Sequence, residues 1–163
     1  MSKENILIYY GEGKGKSTSA LGHAVRSASQ GKSVIIIQFL KWKNEDELTF
    51  LRRLEPEIKY FRFEKSHENY DQLSEEEKKE ETMNIKNGVN FAKKVLLTGE
   101  CNVLILDEFL GLLDNHLISI EDLESMLQAR SEDTEIIFTG RVMDENLNKY
   151  ADEIYKIQAE KVN

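Results

Sequence analysis

The residues with the clearest chemical potential form a glycine-rich stretch, 10–18, near the start of the chain. It reads Tyr-Gly-Glu-Gly-Lys-Gly-Lys-Ser-Thr, follows the apolar run 6–9 and leads into a helix-like pattern over 17–30. This order is typical of a phosphate-binding loop (P-loop), because glycines let successive backbone N–H groups face phosphate oxygens at the positive end of a helix. Lys16 adds a point charge, and the Ser17 hydroxyl can ligate Mg²⁺. Tyr10 stands where the strict motif has glycine; the predicted loop residues are Gly11, Glu12, Gly13, Lys14, Gly15, Lys16, Ser17 and Thr18.

A second candidate is the pair Asp107-Glu108, which directly follows the apolar run 103–106. Carboxylates at a strand end, downstream of a P-loop, can hold Mg²⁺ directly or through water. The alternative is that Asp107 caps a helix while Glu108 is exposed beside it. We predict Ser17, Asp107 and Glu108 as metal ligands, with the capping role as the competing interpretation.

Two cations follow the ends of other predicted strands. Arg141 comes after Thr139-Gly140, and its guanidinium suits bidentate recognition of phosphate, or else a surface ion pair. Lys41 follows the run 34–40 and is either a second phosphate ligand or a solvated lysine. Because ligands gather outside the carboxyl ends of parallel strands, we expect both cations near the loop.

Alternating strand and helix patterns predict the elements that position these residues. Apolar runs without polar alternation indicate strands buried on both faces, at 6–10, 34–40, 103–106 and 136–138, with weaker strands at 59–63 and 153–158. Apolar residues at helical spacing predict helices over 17–30, 46–54, 74–99 and 119–130. The expected fold is α/β, with one domain over 1–163: a P-loop NTPase-like (RecA-like) parallel β-sheet flanked by helices on both faces.

Composition and charge exclude several classes of protein. The chain has 163 residues, a net charge of −8 and a single cysteine, Cys101. The negative balance argues against nucleic-acid binding, and one cysteine excludes an internal disulfide. No signal peptide is recognisable, and no apolar run approaches the ~18 residues that a membrane span needs. We therefore expect a cytoplasmic protein without a nucleic-acid or membrane partner.

Five short signatures occur in order along nearly the whole chain. They are the loop 11–18, then Gln38-Phe39-Leu40-Lys41, Leu104-Ile105-Leu106-Asp107-Glu108, Thr139-Gly140-Arg141 and Tyr150-Ala151-Asp152-Glu153-Ile154. Together they resemble the ATP:corrinoid adenosyltransferases of bacterial cobalamin biosynthesis and salvage. That family also lacks the first P-loop glycine, which agrees with Tyr10.

The resemblance implies an enzyme that binds Mg·ATP with the triphosphate reversed in the loop, so that the ribose C5′ is exposed. A Co(I) corrinoid, the second substrate, would attack that carbon and release triphosphate without a protein general base. Lys16 and Arg141 would act in catalysis by stabilising negative charge on the triphosphate, and Glu108, with Asp107, by governing the metal.

The corrinoid face and the partners are also implied by the resemblance. Phe61 and Phe63 keep the aromatic-x-aromatic spacing of the family's Gly-Phe-Thr-Trp segment, and we predict that they lie against the corrinoid together with Trp42. A homodimer and a flavoprotein reductant are the candidate partners.

The residues themselves leave two other functions open. One is an ATP-binding module that switches conformation or regulates a partner without alkyl transfer. The other is a P-loop phosphohydrolase, in which Glu108 would orient the attacking water.

Overall fold

A parallel β-sheet organises residues 5–40 and 45–163, the part of the chain that the computed structural model describes. Within those residues the strands are β1 (Ile6–Tyr10), β2 (Val34–Gln38), β3 (Ile58–Arg62), β4 (Val103–Asp107), β5 (Glu135–Gly140) and β6 (Glu153–Lys156). Their order in the sheet is β3-β2-β4-β5-β1-β6, and every pairing is parallel. Because the strands are parallel, all their carboxyl ends meet at one edge of the sheet, where the predicted site residues follow them.

Helices cover both faces of the sheet. They are α1 (Lys16–Ser29), α2 (Glu45–Arg52), α3 (Glu75–Thr98), α4 (Phe109–Asp114), α5 (Ile120–Gln128) and α6 (Glu145–Asn148), with a 3₁₀ turn at Tyr70–Gln72. On one face α1 packs Ala20 and Ala24 against β1, β2 and β4. On the other face α3, α4 and α5 bury a larger core that includes Ile85, Phe109 and Leu123. Apolar contact on both faces explains why these strands lack polar alternation.

The predicted fold class is confirmed, and the differences lie at the ends of the elements. β2 ends at Gln38, two residues earlier than predicted, and Leu40 has a left-handed backbone with φ 63°. β4 extends by one residue to include Asp107. The short helices α4 and α6 were not predicted, because six and four residues are too few to show a helical period. The bounds of α3 agree with the predicted range 74–99: Ser74 forms a capping box with Glu77 at its start, and Gly99 is its C-cap.

Two further sequence-based expectations concern membranes and the residues that follow β2. In the described ranges, no helix is both long and apolar enough to cross a bilayer. The predicted site residues Lys41 and Trp42 fall in the gap at 41–44 and so lie outside the described residues.

Candidate nucleotide site

The glycine-rich loop joins β1 to α1 and has the backbone that the motif predicts. Gly11, Gly13 and Gly15 have φ of 144°, 87° and 115°, all in the left-handed range that favours glycine, and α1 begins at Lys16. Gly11 also lacks room for a side chain, since a Cβ there would lie 2.0 Å from the Ile157 carbonyl oxygen. The loop is therefore held between the start of α1 and the segment after β6.

A hydroxyl–carboxylate network connects this loop to the two neighbouring strand ends. Ser17 Oγ donates to Asp107 Oδ1 at 2.8 Å, and Thr139 Oγ1 donates to the same oxygen at 2.5 Å. The backbone N–H of Glu108 donates to Thr139 Oγ1 at 2.8 Å. Asp107, Glu108 and Thr139 are all buried. Three elements distant in sequence thus place a serine hydroxyl and a carboxylate side by side.

Lys16 and Glu108 form a buried ion pair behind the loop. Lys16 Nζ lies 3.7 Å from Glu108 Oε1 and donates to the Gly13 carbonyl at 3.1 Å. The side chains of Lys16 and Glu108 are 4% and 6% exposed. Such a pair needs good geometry to offset the cost of desolvating two charges. Contacts with Glu108 and with the Gly13 carbonyl thus hold the lysine that the motif predicts as a phosphate ligand.

The capping interpretation of Asp107-Glu108 is wrong. Asp107 is the last residue of β4, and its carboxylate accepts the two hydroxyl hydrogen bonds described above. Glu108 occupies the N-cap position of α4 with φ 60°, but its side chain makes no capping hydrogen bond and is buried rather than exposed.

The donor set at Ser17 and Asp107 fits Mg²⁺. Both supply hard oxygen ligands, and Mg²⁺ is commonly held by one or two carboxylates together with substrate phosphates and water. Over residues 5–40 and 45–163, no group of three or more His, Cys, Asp or Glu could hold a metal by itself.

Arg141 lies at the same edge but at the surface. Its Nη2 is 3.4 Å from Glu12 Oε1, and the two side chains are 65% and 78% exposed. An exposed ion pair of this kind contributes little to stability. Either side chain can therefore leave the pair to bind a ligand. Lys14 and Thr18 are likewise exposed in the loop.

Two cavities meet at Arg141. One, of about 460 Å³, is bounded by Gly11, Glu12 and the segment after β6. The other, of about 570 Å³, is bounded by Leu40, by the loop with His67 and Asp71, and by Asn115 after α4. Both lie at the carboxyl edge of the sheet, and the smaller one is bounded by the glycine-rich loop.

Phe61 and Phe63 are not brought to the loop. They lie on the face of the sheet opposite α1, half-buried, with ring centroids 4.9 and 5.4 Å from that of Phe91 on α3. The structure accounts for them by packing, and their contact with a corrinoid stays a prediction.

A buried charge network at the end of β3 was not predicted from the sequence. Glu64 accepts the backbone N–H of Leu40 at 2.8 Å and lies 3.6 Å from Arg62 Nη2. Glu81, on α3, accepts from the N–H of Lys65 and from Asn84. Burial raises the pKa of Glu64, although the Leu40 hydrogen bond and Arg62 oppose that rise. The sequence shows only a charged stretch here, without spacing that would signal burial.

Known proteins are similar to this chain in sequence and in fold. The model of a family described as ATP:corrinoid adenosyltransferase BtuR/CobO/CobP matches residues 2–163. The corrinoid adenosyltransferase of Escherichia coli (strain K12) is 26% identical over 94% of this chain and 76% of that protein. Corrinoid adenosyltransferase CobA of Salmonella typhimurium (strain LT2) is 27% identical over the same shares. The solved structure of a KaiC-like protein from the archaeon Pyrococcus horikoshii OT3 matches with a TM-score of 0.63. The match covers 99% of this chain and 76% of the other chain, and at 14% sequence identity it shows a similar fold alone.

Proposed function

This chain belongs to the ATP:corrinoid adenosyltransferase family, and from that premise we propose that it transfers the 5′-deoxyadenosyl group of Mg·ATP to a Co(I) corrinoid, in cobalamin biosynthesis or salvage, and releases triphosphate. ATP and a corrinoid are the substrates that the family implies. The observation that carries the proposal is the network in which Ser17, Asp107 and Thr139 meet beside the loop.

The loop and Lys16 bind and stabilise the triphosphate. Backbone N–H groups of the loop and the positive end of α1 face the phosphate oxygens. Lys16, oriented by Glu108 at 3.7 Å, supplies the charge that stabilises the leaving group as negative charge develops on it. We place the triphosphate in reversed orientation, so that C5′ faces the cavity bounded by Leu40 and Arg141.

Ser17 and Asp107 would hold Mg²⁺, and the bound ion would neutralise phosphate charge as a Lewis acid. Asp107 is kept in position by the Thr139 hydroxyl, and Thr139 in turn receives the Glu108 N–H. These contacts fix the carboxylate without a further charged residue. Arg141 can leave its exposed pair with Glu12 at little cost and bind a phosphate oxygen.

The electron balance of the transfer explains why the chain needs no general base. The Co(I) lone pair forms the Co–C5′ bond, the C5′–O5′ bond breaks, and its electron pair leaves on the triphosphate. No proton moves in this step. The protein's contribution is to position C5′ and to stabilise the leaving group.

Product analysis tests the proposal. With Mg·ATP and a chemically reduced corrinoid, we expect an adenosylated corrinoid, followed by its absorbance spectrum, and intact triphosphate, followed by phosphorus NMR. ADP and phosphate at a rate indifferent to corrinoid would instead identify a phosphohydrolase. ATP binding without any product would favour a regulatory module, and either result overturns the proposal.

A further inference from the structure

Gln38, the last residue of β2, carries a buried side-chain oxygen without a hydrogen-bond partner in the described part of the chain. The residue is 1% exposed, and its Nε2 donates to the Phe39 carbonyl at 3.3 Å. Its Oε1 has no hydrogen-bond partner among residues 5–40 and 45–163. Leaving a buried acceptor unsatisfied costs on the order of 1–3 kcal/mol. The preceding strand residues, Val34 to Ile37, are all apolar, so packing alone does not call for an amide here.

The register of the sheet puts Gln38 next to the carboxylate of the nucleotide site. Gln38 pairs with Asp107 on β4, and the Phe39 N–H donates to the Asp107 carbonyl at 2.9 Å, which fixes the end of β2 against β4. Side chains alternate along a strand, so Gln38 and Asp107 share the sheet face that Ile36 and Ile105 present to α1. Adjacent strands are about 4.8 Å apart, within reach of a glutamine side chain.

The chemistry of an amide oxygen suits this position. Asp107 already accepts from Ser17 and Thr139, and a second carboxylate beside it would repel the phosphates of a nucleotide. A neutral acceptor adds no charge, and Mg²⁺ in nucleotide sites keeps several waters whose hydrogens need acceptors. Groups that orient a metal's surroundings in this way typically change metal affinity 10- to 100-fold when removed.

We propose that Gln38 is a positioning residue for Mg·ATP: its Oε1 accepts a hydrogen bond from the hydration shell of the Mg²⁺ that Ser17 and Asp107 hold. The inference rests on the proposed Mg·ATP site and does not depend on alkyl transfer. It explains why the free protein tolerates an unsatisfied amide at the end of a buried strand.

The test compares ATP affinity with Mg²⁺ and with EDTA, by calorimetry, in the full chain without corrinoid. For Gln38→Leu we expect unchanged affinity in EDTA, an unchanged or higher melting temperature, and an affinity gain from Mg²⁺ that is about tenfold smaller than in the parent. Gln38→Glu keeps an acceptor and should keep most of that gain, while its added negative charge should lower the affinity for ATP both with Mg²⁺ and in EDTA. Gln128→Leu, on the exposed end of α5, is the matched control and should behave like the parent.

Two outcomes separate this inference from the proposed function. A full Mg²⁺ gain in Gln38→Leu, with a normal fold, would overturn the role of Gln38 while leaving the site intact. The absence of any Mg²⁺ gain in the parent would overturn the magnesium site itself. If Gln38→Leu does not fold, Gln38→Met gives the same comparison with an unbranched side chain, and the same two results decide it.

Discussion

At the scale of single residues, one oxygen atom joins the elements of the candidate nucleotide site. Asp107 Oδ1 accepts hydrogen bonds from Ser17 on α1 and from Thr139 on β5. Both donors are neutral hydroxyls, so their bonds do not require the negative charge of the carboxylate. The charge is then available for a cation, and this separates the structural role of Asp107 from its proposed metal role.

Asp107→Asn should therefore fold normally but bind Mg·ATP poorly. The amide oxygen can still accept from Ser17 and Thr139, so we expect a melting temperature within a few degrees of the parent. Without the charge, the gain in ATP affinity from Mg²⁺ should fall 10- to 100-fold, measured by calorimetry. Asp114→Asn, at the exposed end of α4, is the control. Severe unfolding with unchanged Mg²⁺ dependence in the surviving fraction would contradict the metal assignment.

At the scale of elements, the loop depends on the segment that follows β6. Ile157 N–H donates to the Tyr10 carbonyl at 2.8 Å, and Gly11 N–H donates to the Gly140 carbonyl at 3.1 Å. The loop entrance is therefore enclosed by the ends of β5 and β6. This close approach requires glycine at position 11 for two reasons, its φ of 144° and the absence of space for a Cβ.

Gly11→Ala should destabilise the fold and weaken ATP binding together. The new Cβ would lie 2.0 Å from the Ile157 carbonyl oxygen, so the segment after β6 must move away from the loop. Gly22→Ala is a matched control, because Gly22 lies in α1 and a methyl group added there would meet nothing within 4 Å; it should stabilise by about 0.5–1 kcal/mol. Urea denaturation and ATP titration measure both effects. Equal stability in the two variants would show that the loop does not need this contact.

Glu64, which follows β3, accepts a hydrogen bond from the backbone of Leu40, which follows β2. We expect the titration of Glu64 to affect how the free energy of unfolding depends on pH. Because burial raises the pKa of Glu64, the folded state favours the protonated carboxyl. That stabilisation is complete below the unfolded pKa of about 4.3 and is lost as pH rises through the folded value. The direction of the shift therefore predicts a falling contribution above about pH 4.

Glu64→Gln removes this titration and should have a flatter stability profile than the parent. We expect the free energy of unfolding of the variant, minus that of the parent, to increase as pH rises from about 4 to 8. The test is the sign of the slope of this difference against pH. Its absolute value is not the test, because the loss of the ion pair with Arg62 changes the free energy of unfolding at every pH. Glu57→Gln, on an exposed residue before β3, is the control. Parallel profiles for variant and parent would show that Glu64 does not titrate in this way.

At the scale of the whole molecule, Cys101 reports on global unfolding. It is 4% exposed, lies two residues before β4 within the core shared with α3, and burial raises its pKa to about 12. A thiol that is both buried and protonated reacts slowly with alkylating reagents, because the thiolate is the nucleophile. Labelling at Cys101 should therefore require the protein to open.

Saturating Mg·ATP should slow that labelling. A ligand present at 100 times its Kd stabilises the native state by about 2.7 kcal/mol, which corresponds to a roughly 100-fold lower labelling rate when opening is at equilibrium. Mass spectrometry of iodoacetamide-treated protein, with and without Mg·ATP, measures the ratio. Rapid labelling of the native protein, unaffected by Mg·ATP, would show that Cys101 reacts by local opening instead.

The sequence by itself determined the strand–loop–helix unit and the α/β fold class, and it predicted Ser17 and Asp107 as site residues. Local signals suffice for these features: glycines permit a left-handed backbone, and continuous apolar runs indicate strands covered on both faces. Only the tertiary structure decided which strands are neighbours. The order β3-β2-β4-β5-β1-β6 brings Ser17 and Thr139 to the same oxygen of Asp107 and places Gln38 beside Asp107. Phe61 lies on the face opposite α1. Those contacts join residues as far as 90 positions apart in the chain, and no periodicity or spacing within a single segment carries that information.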